Sequence, residues 1–379
     1  MSSQNYPSNK TKPDSWRRRN ARRTFRFINS IVLVVSVISY LSVLVSPQFF
    51  WLFGFVSMLI PFCLMANVFF VLLWWWRKRW YALYSLLVLV IGFPFWQASI
   101  SFGGLLEEDF EENRNYLSVL SYNVREFDVY QRKNDDYTVT KNTINWIKND
   151  TSDIICIQDF YNSETHTVLN TREQLAKEKT ETPYYFHKRY TSANHGRGKF
   201  GIAIFSKYPF INKGEVPFKV RTANGAIFAD IVKNNDTIRI YNIHLESMSI
   251  NQNELQPLDK PEETFWYAGS RLKKGFASRA EQVEAIINHI QASPYPIILC
   301  GDLNDLPYSY TYFKLHHSLE NAFESKGLGT GFTFNGKLFF LRIDNQFYDE
   351  EKIECLYFNT HREIPFSDHY PVRGIYSIK

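Results

Sequence analysis

Two stretches without a single charge constrain this chain more than any other feature. No Asp, Glu, Lys or Arg occurs from Phe27 to Trp76, nor from Trp80 to Leu106. A bilayer's hydrocarbon core takes about 20 consecutive apolar residues per helix, and helices of water-soluble proteins rarely run so far without charge. The first run divides at Ser46-Pro47-Gln48, so three membrane-spanning helices are expected, at 27–45, 49–76 and 80–102. The triplet Trp74–Trp76 suits an interfacial aromatic belt. A cleaved signal peptide fits less well. Ala21–Phe25 carries paired arginines, but no small-residue cleavage site closes the first run and two further apolar segments follow.

The basic residues orient these helices. Trp16–Arg23 (WRRRNARR) precedes the first and Arg77–Arg79 lies between the second and third, so both are expected in the cytoplasm by the positive-inside bias. Three spans then place everything after Leu106 outside. The chain thus reads as a cytoplasmic N-terminus (1–26), a three-helix membrane region (27–102), a linker (103–115) and an extracytoplasmic domain (116–379) of a multi-pass plasma or inner membrane protein. Charge divides the same way. Residues 1–104 hold 11 Lys and Arg and one acid, Asp14, whereas the rest carries 32 basic and 37 acidic residues, net −5. That balance gives the outer domain no general polyanion-binding excess. Cys63, Cys156, Cys300 and Cys355 form no disulfide framework; a Cys156–Cys300 bridge requires their strands to be neighbours.

Past the linker, strand and helix patterns alternate. Strands are expected at Leu117–Val124, Asp153–Phe160, Gly201–Pro209, Arg342–Tyr348, Lys352–Phe358 and Pro371–Ile378, with PIILC (Pro296–Cys300) another. Gly225–Ser247 reads as a hairpin turning at Asn234–Asp236, and Thr138–Asp150 as a helix. A polar loop is expected over 248–276, long enough for the rim of a site. A helix follows at Ser278–Ile290, with Ser278 and Glu281 at capping-box spacing and Ala280, Val283, Ile286, Ile287 and Ile290 as its apolar stripe.

Several strands end in residues that a core would reject: Asn123; Gln158 and Asp159; Asn242 and His244; Asp302 and Asn304; Asp344; and Ser367, Asp368 and His369. Strand ends are where α/β proteins assemble sites, and burying so many polar groups singly is costly. The hard oxygens of Asn123, Asp159 and Asp368 suit magnesium, with manganese as a substitute. Such an ion can stabilise a phosphoryl group under in-line attack. No Cys/His set has zinc spacing. His244 and His369 are candidates for acid and base work, and an Asp beside a His would fix its tautomer.

Seven stretches together, LSYNV, IICIQD, GIAIFSKYP, YNIHLES, GDLND, RID and SDHYPV, make residues 117–379 similar to the endonuclease/exonuclease/phosphatase superfamily, which includes DNase I-like and exonuclease III-like enzymes. The resemblance implies a four-layer α/β/β/α sandwich and Mg2+-dependent hydrolysis of phosphodiesters or phosphomonoesters. By motif it implies metal-site positions at Asn123, Asp159 and Asp368 and a phosphate-contacting His244. It also implies a nucleophile-aligning Asp302 with its orienting Asn304, and a catalytic His369 with its partner Asp344. Arg279 and Ser206 occupy recurrent positions with structural roles. Two departures stand out. Asp159 replaces the usual Glu and is one methylene shorter, and Asn345-Gln346 follow RID where apolar residues are usual.

The expected function is a membrane-anchored phosphohydrolase whose substrate is a nucleic acid, a phospholipid head group or a soluble phosphoester. The basic stretches His195–Lys199 and Arg271–Lys274 are candidates for its rim. The alternative is an inactive binding or sensory module that keeps the same fold.

Overall fold

The computed structural model describes residues 14–105, 116–130, 136–176, 184–193, 198–220, 222–247 and 261–379. It divides the chain into two compact units: residues up to Leu41 with Leu59–Phe93, and Ser42–Met58 with Pro94–Lys379.

In the first unit, one helix among the described residues is long and apolar enough to cross a bilayer: Arg19–Ser42, 24 residues. The expectation of three such helices is corrected here. The second apolar run breaks into Leu52–Ser57 and Ile60–Trp76, and the third into Ala82–Ile91 and Phe93–Gln97. Pro61, in the first turn of Ile60–Trp76, lacks the N–H that would continue a helix from upstream. Gly92 caps Ala82–Ile91. At 1.5 Å per residue the 17 residues of Ile60–Trp76 span about 26 Å and the 10 of Ala82–Ile91 about 15 Å, short of a hydrocarbon core of about 30 Å. Buried amides hold the helices together. The Asn67 side chain donates to Ser36 Oγ (2.8 Å), Asn29 donates to Ser85 Oγ (2.9 Å), and Trp74 Nε1 donates to Asn29 Oδ1 (2.8 Å).

The second unit is built on two six-stranded sheets. One has the order β11-β12-β1-β2-β4-β3 and the other β5-β6-β7-β8-β10-β9. In chain order the strands are β1 (Tyr116–Asn123), β2 (Ile154–Asn162), β3 (Tyr184–Ala193), β4 (Gly198–Ser206), β5 (Phe210–Val216), β6 (Gly225–Lys233), β7 (Asp236–His244), β8 (Ile297–Asp302), β9 (Glu320–Asn321), β10 (Asp344–Tyr348), β11 (Ile353–Thr360) and β12 (Val372–Ile378). Side chains alternate across each strand. Leu117, Val119, Ile154 and Cys156 of one sheet meet Ile238, Ile240, Ile298 and Cys300 of the other in the central core. The opposite faces are covered by helices. Ile144 and Ile147 of Thr138–Asn149 pack on Leu120 and Ile155, and Val283, Ile286 and Ile290 of Pro261–Gln291 pack on Tyr241 and Leu299. The layers are α/β/β/α. Cys156 and Cys300 lie in opposite sheets, and all four cysteines are free thiols.

The expected rim loop is also corrected. Residues 261–276 are helical, and 248–260 lie outside the described residues. Ser278 is therefore interior to a 31-residue helix (Pro261–Gln291), not its cap. An apolar stripe marks which face of a helix is buried but not where a polar upstream turn begins.

The second unit also takes in chain upstream of β1. Ser101 N donates to Gly329 O (2.9 Å), Gly104 N to Gly327 O (2.8 Å) and Arg342 Nη2 to Ala98 O (2.5 Å). Residues 106–115 of the expected linker lie outside the described residues.

Candidate active site

The strand ends that carry the polar residues converge where the two sheets face each other. β7 and β8 run parallel with His244 beside Asp302, and β8 and β10 run antiparallel with Asp302 beside Asp344. Gly301 makes this register possible. Its φ is 142°, and a Cβ there would sit 1.9 Å from the Ile243 carbonyl oxygen, so only glycine fits. Asp344 is held through its backbone: the amides of Ile343 and Asp344 both donate to Thr333 Oγ1 at 3.1 Å.

Four predicted residues form the centre. His369 Nδ1 lies 2.9 and 3.1 Å from the two Asp344 carboxylate oxygens. His369 Nε2 is 3.8 Å from Asp302 Oδ2, and His244 Nε2 approaches the same oxygen at 3.5 Å. Asp302, Asp344, His244 and His369 are all buried. Burial alone would lower the His369 pKa, but Asp344 and Asp302 outweigh it and raise it to about 10. Burial pushes Asp302 up to about 6, with Asp344 adding to the rise and both histidines opposing it.

The other predicted residues surround this centre. Asn123 Nδ2 donates to Asp302 Oδ2 (3.1 Å). The Asn304 amide N–H donates to Asp302 Oδ1 (2.7 Å), and its side chain donates to Leu245 O (3.0 Å). Asp368 Oδ1 is 3.9 Å from His369 Nε2. Asp159 sits where the β2–β4 register shifts, with φ 50°, and this bulge places its carboxylate 3.3 Å from His244 Nδ1. Asn123 thus reaches the centre through Asp302, Asp159 through His244 and Asp368 through His369. Among the described residues, the site's closest group of ligand atoms is Asp302, Asp344 and His369, all within 4.8 Å of one another.

Sequence reasoning missed two neighbours. Arg125, Glu126, Phe127 and Asp128 all have φ between 47 and 62°, a left-handed turn rare outside glycine. It starts where Arg125 N donates to Asn123 Oδ1 (3.0 Å), and it brings Arg125 Nε to 3.3 Å from Asp368 Oδ2. It also brings Glu126 within reach of Asp159 and Asp368. Burial, then those two carboxylates, raise the Glu126 pKa to about 8. The pair follows LSYNV directly, but nothing in its spacing announces a left-handed turn.

The donor set fits a hard divalent cation. Five carboxyl groups, Glu126, Asp159, Asp302, Asp344 and Asp368, face one arginine and two histidines. The raised values of Glu126 and Asp302 come first from burial, with neighbouring carboxylates adding to the rise against the opposing pull of Arg125 and the two histidines.

The remaining predicted residues are structural. Gln158 Nε2 donates to Asn242 Oδ1 (2.6 Å), bridging the sheets. Gln346 Nε2 donates to Val119 O (3.1 Å) and Val372 O (3.0 Å), and its carbonyl accepts from Tyr376 (2.6 Å). Of the polar residues after RID, Gln346 therefore joins the sheets, whereas Asn345 Oδ1 accepts from Asn321 Nδ2 (3.3 Å) within its own sheet. Arg279, fully buried, pairs with Asp305 (3.0 Å), and Ser206 Oγ donates to Tyr208 O (2.8 Å). Of the candidate rim, Lys199 pairs with Glu164 (3.1 Å), Lys273 lies 4.7 Å from the Trp51 ring, and 194–197 lie outside the described residues.

Known proteins share this arrangement at the level of fold. The human Nocturnin catalytic domain is 17% identical with a TM-score of 0.50, over 72% of this chain and 97% of that one. An endonuclease/exonuclease/phosphatase from Bacteroides vulgatus is 15% identical with a TM-score of 0.51, over 70% and 100%. A humanized D. rerio TDP2 is 14% identical with a TM-score of 0.50, over 69% and 99%. No curated protein sequence matches the chain. Residues 22–99 match a domain of unknown function (DUF8431). The profile described as the Endonuclease/Exonuclease/phosphatase family matches residues 120–369, about two thirds of the sequence, and the chain belongs to that family.

Proposed function

We propose that this protein is a membrane-anchored, Mg2+-dependent phosphoesterase that cleaves phosphodiester or phosphomonoester bonds outside the cytoplasm. The observation that carries the chemistry is the buried Asp302–His369–Asp344 cluster, in which a carboxyl near pKa 6 faces an imidazole near 10. At neutral pH the carboxyl is mostly ionised and the imidazole protonated. Asp302 then accepts the proton of an attacking water, and Asn304 holds its carboxylate in place. His369 donates Nε2–H to a phosphoryl oxygen, while Asp344 fixes the ring through Nδ1. His244 offers a second donor beside Asp302. Asn123, Asp159 and Asp368, with Glu126 beside them, would hold the metal, which supplies Lewis-acid stabilisation of phosphoryl charge when bound.

The anchor reading rests on Arg19–Ser42, and the side assignment on what flanks it. Its N-terminal end is basic. The segment after it, Ser42–Met58, belongs to the unit that carries the site, where Phe55 packs edge-on against Phe276 at 5.1 Å. With the basic end retained inside, Arg19–Ser42 brings Ser42–Met58, and so the unit to which it belongs, outside.

The test is hydrolysis of a chromogenic phosphodiester and a phosphomonoester by the full-length protein in detergent, with Mg2+ or chelator, beside His369→Ala. Metal-dependent turnover lost in the variant is expected. Turnover indifferent to chelator would refute the metal assignment, and no turnover on these or on nucleic acid and phospholipid substrates would favour the inactive module. Protease protection in intact cells tests the side: a digestible site unit is expected, and a protected one would reverse the topology.

A further inference from the structure

The helical unit has an unusual charge balance. From Arg19 to Phe93 it carries seven Lys or Arg and no Asp or Glu. Four of those cations line one basin of about 570 Å³ together with Ala21, Trp74, Trp80 and Tyr81. Arg22 and Arg26 lie one helical turn apart, so both face the same side. Arg77 and Arg79 come from the turn after Ile60–Trp76, where Lys78 adopts φ 50° and reverses the chain. Among the described residues, none of the four has a carboxylate partner.

The basin is built from fixed parts. The Arg26 guanidinium stacks over Tyr81 at 4.7 Å, and Arg77 over Phe25 at 5.5 Å. Tyr81 is stacked on Trp80 at 4.8 Å, and the Trp74 wall is held by its hydrogen bond to Asn29. Guanidinium groups anchored by aromatic faces keep their N–H donors free, and the planar fork matches phosphate oxygens. Large apolar side chains close in sequence to the basin's residues reach the surface: Phe27, Trp76, Trp80 and Leu83 are each at least 60% exposed, and Trp80 itself lines the basin. A phosphate seated there would have apolar surface beside it for acyl chains.

We propose that this basin binds the phosphate of an anionic phospholipid at the cytoplasmic membrane face, which assigns a ligand class to the part of the chain that matches a domain of unknown function. The site is separate from the candidate active site, and it rests on the anchor reading above. Each arginine near an anionic surface contributes about a fivefold preference.

The test is native mass spectrometry of the full-length protein in detergent, with phosphatidylglycerol or phosphatidylcholine added. A retained phosphatidylglycerol adduct is expected. The double variant Arg26→Gln/Arg77→Gln should lower its occupancy about 25-fold, and Arg23→Gln/Lys78→Gln, an equal charge change off the basin, by much less. Unchanged phosphoesterase activity in both variants checks that they fold. Equal retention of the two lipids, or equal loss in Arg23→Gln/Lys78→Gln, would refute a built site. Displacement of the lipid by inorganic phosphate at millimolar concentration would identify a soluble anion as the occupant and overturn the lipid assignment. Release of the chain from membranes by alkaline carbonate would refute the anchor itself, whereas a membrane-retained chain without headgroup selectivity refutes only the basin.

Discussion

Asp344→Asn tests the proposed chemistry most directly, because it removes a charge and keeps the shape. Asp344 holds both carboxylate oxygens against His369 Nδ1, at 2.9 and 3.1 Å, in a buried setting. The imidazole pKa stands at about 10 against an ordinary 6.5. Three and a half pH units correspond to about 5 kcal/mol favouring the imidazolium. An opposite charge at this distance accounts for about one to three pH units. Since Asp344 is the largest raising influence, the variant's imidazole should titrate near about 8. Its raised value means that the protonated ring is present below the folded pKa and lost as pH rises through it. Asp302 is also raised, so its base form appears as pH rises through about 6. The wild-type kcat/KM should therefore climb through about 6 and fall toward about 10. In Asp344→Asn the falling limb should move down by about two pH units. The rising limb should shift slightly lower, because the Asp344 charge no longer opposes ionisation of Asp302. The maximum rate should drop about 10²–10⁴-fold, the usual worth of a positioned acid–base group. The assay is a pH–rate profile on a chromogenic phosphodiester at saturating Mg2+, with the melting temperature recorded alongside. A slower variant whose falling limb does not move would refute the protonated-histidine role, whatever the size of the rate loss.

Other consequences are simpler to measure. Asp159→Glu restores the longer carboxylate and should tighten Mn2+ binding about two- to tenfold by calorimetry; weaker binding would mean that the β2 bulge is fitted to the shorter side chain. Chelator should abolish turnover and Mg2+ restore it, with activity that survives dialysis against chelator counting against the metal. Gly301→Ala places a methyl 1.9 Å from a carbonyl oxygen; it should cost at least about 3 kcal/mol in urea unfolding, and a near-neutral variant would show that β7 and β8 can move apart. Gln346→Leu strips hydrogen bonds from Val119 O, Val372 O and the Tyr376 hydroxyl. It should cost about 2–4 kcal/mol while leaving the pH profile unchanged.

Much of the candidate site was legible because the residues that compose it stand out by type at strand ends. Asp302, Asp344, His244, His369 and Asn123 were marked by polar side chains in apolar strands, and register alone brings His244, Asp302 and Asp344 side by side. Arg125 and Glu126 were not legible, because a left-handed turn depends on the packing around it. The role of Gln346 was hidden for a related reason: its partners lie more than two hundred residues away in Val119 and across the sheets in Val372 and Tyr376.

The membrane region divides in the same manner. Composition determined that two long stretches of this chain avoid charge, since that property is local and additive. Where those stretches break into helices was decided by Pro61, by Gly92 and by the packing of Ser42–Met58 and Pro94–Leu105 into the second unit. Hydrophobic pattern and strand-end chemistry are written residue by residue. Helix breaks, bulges, inter-sheet hydrogen bonds and shifted pKa values arise only when distant segments compete for the same space and the same partners.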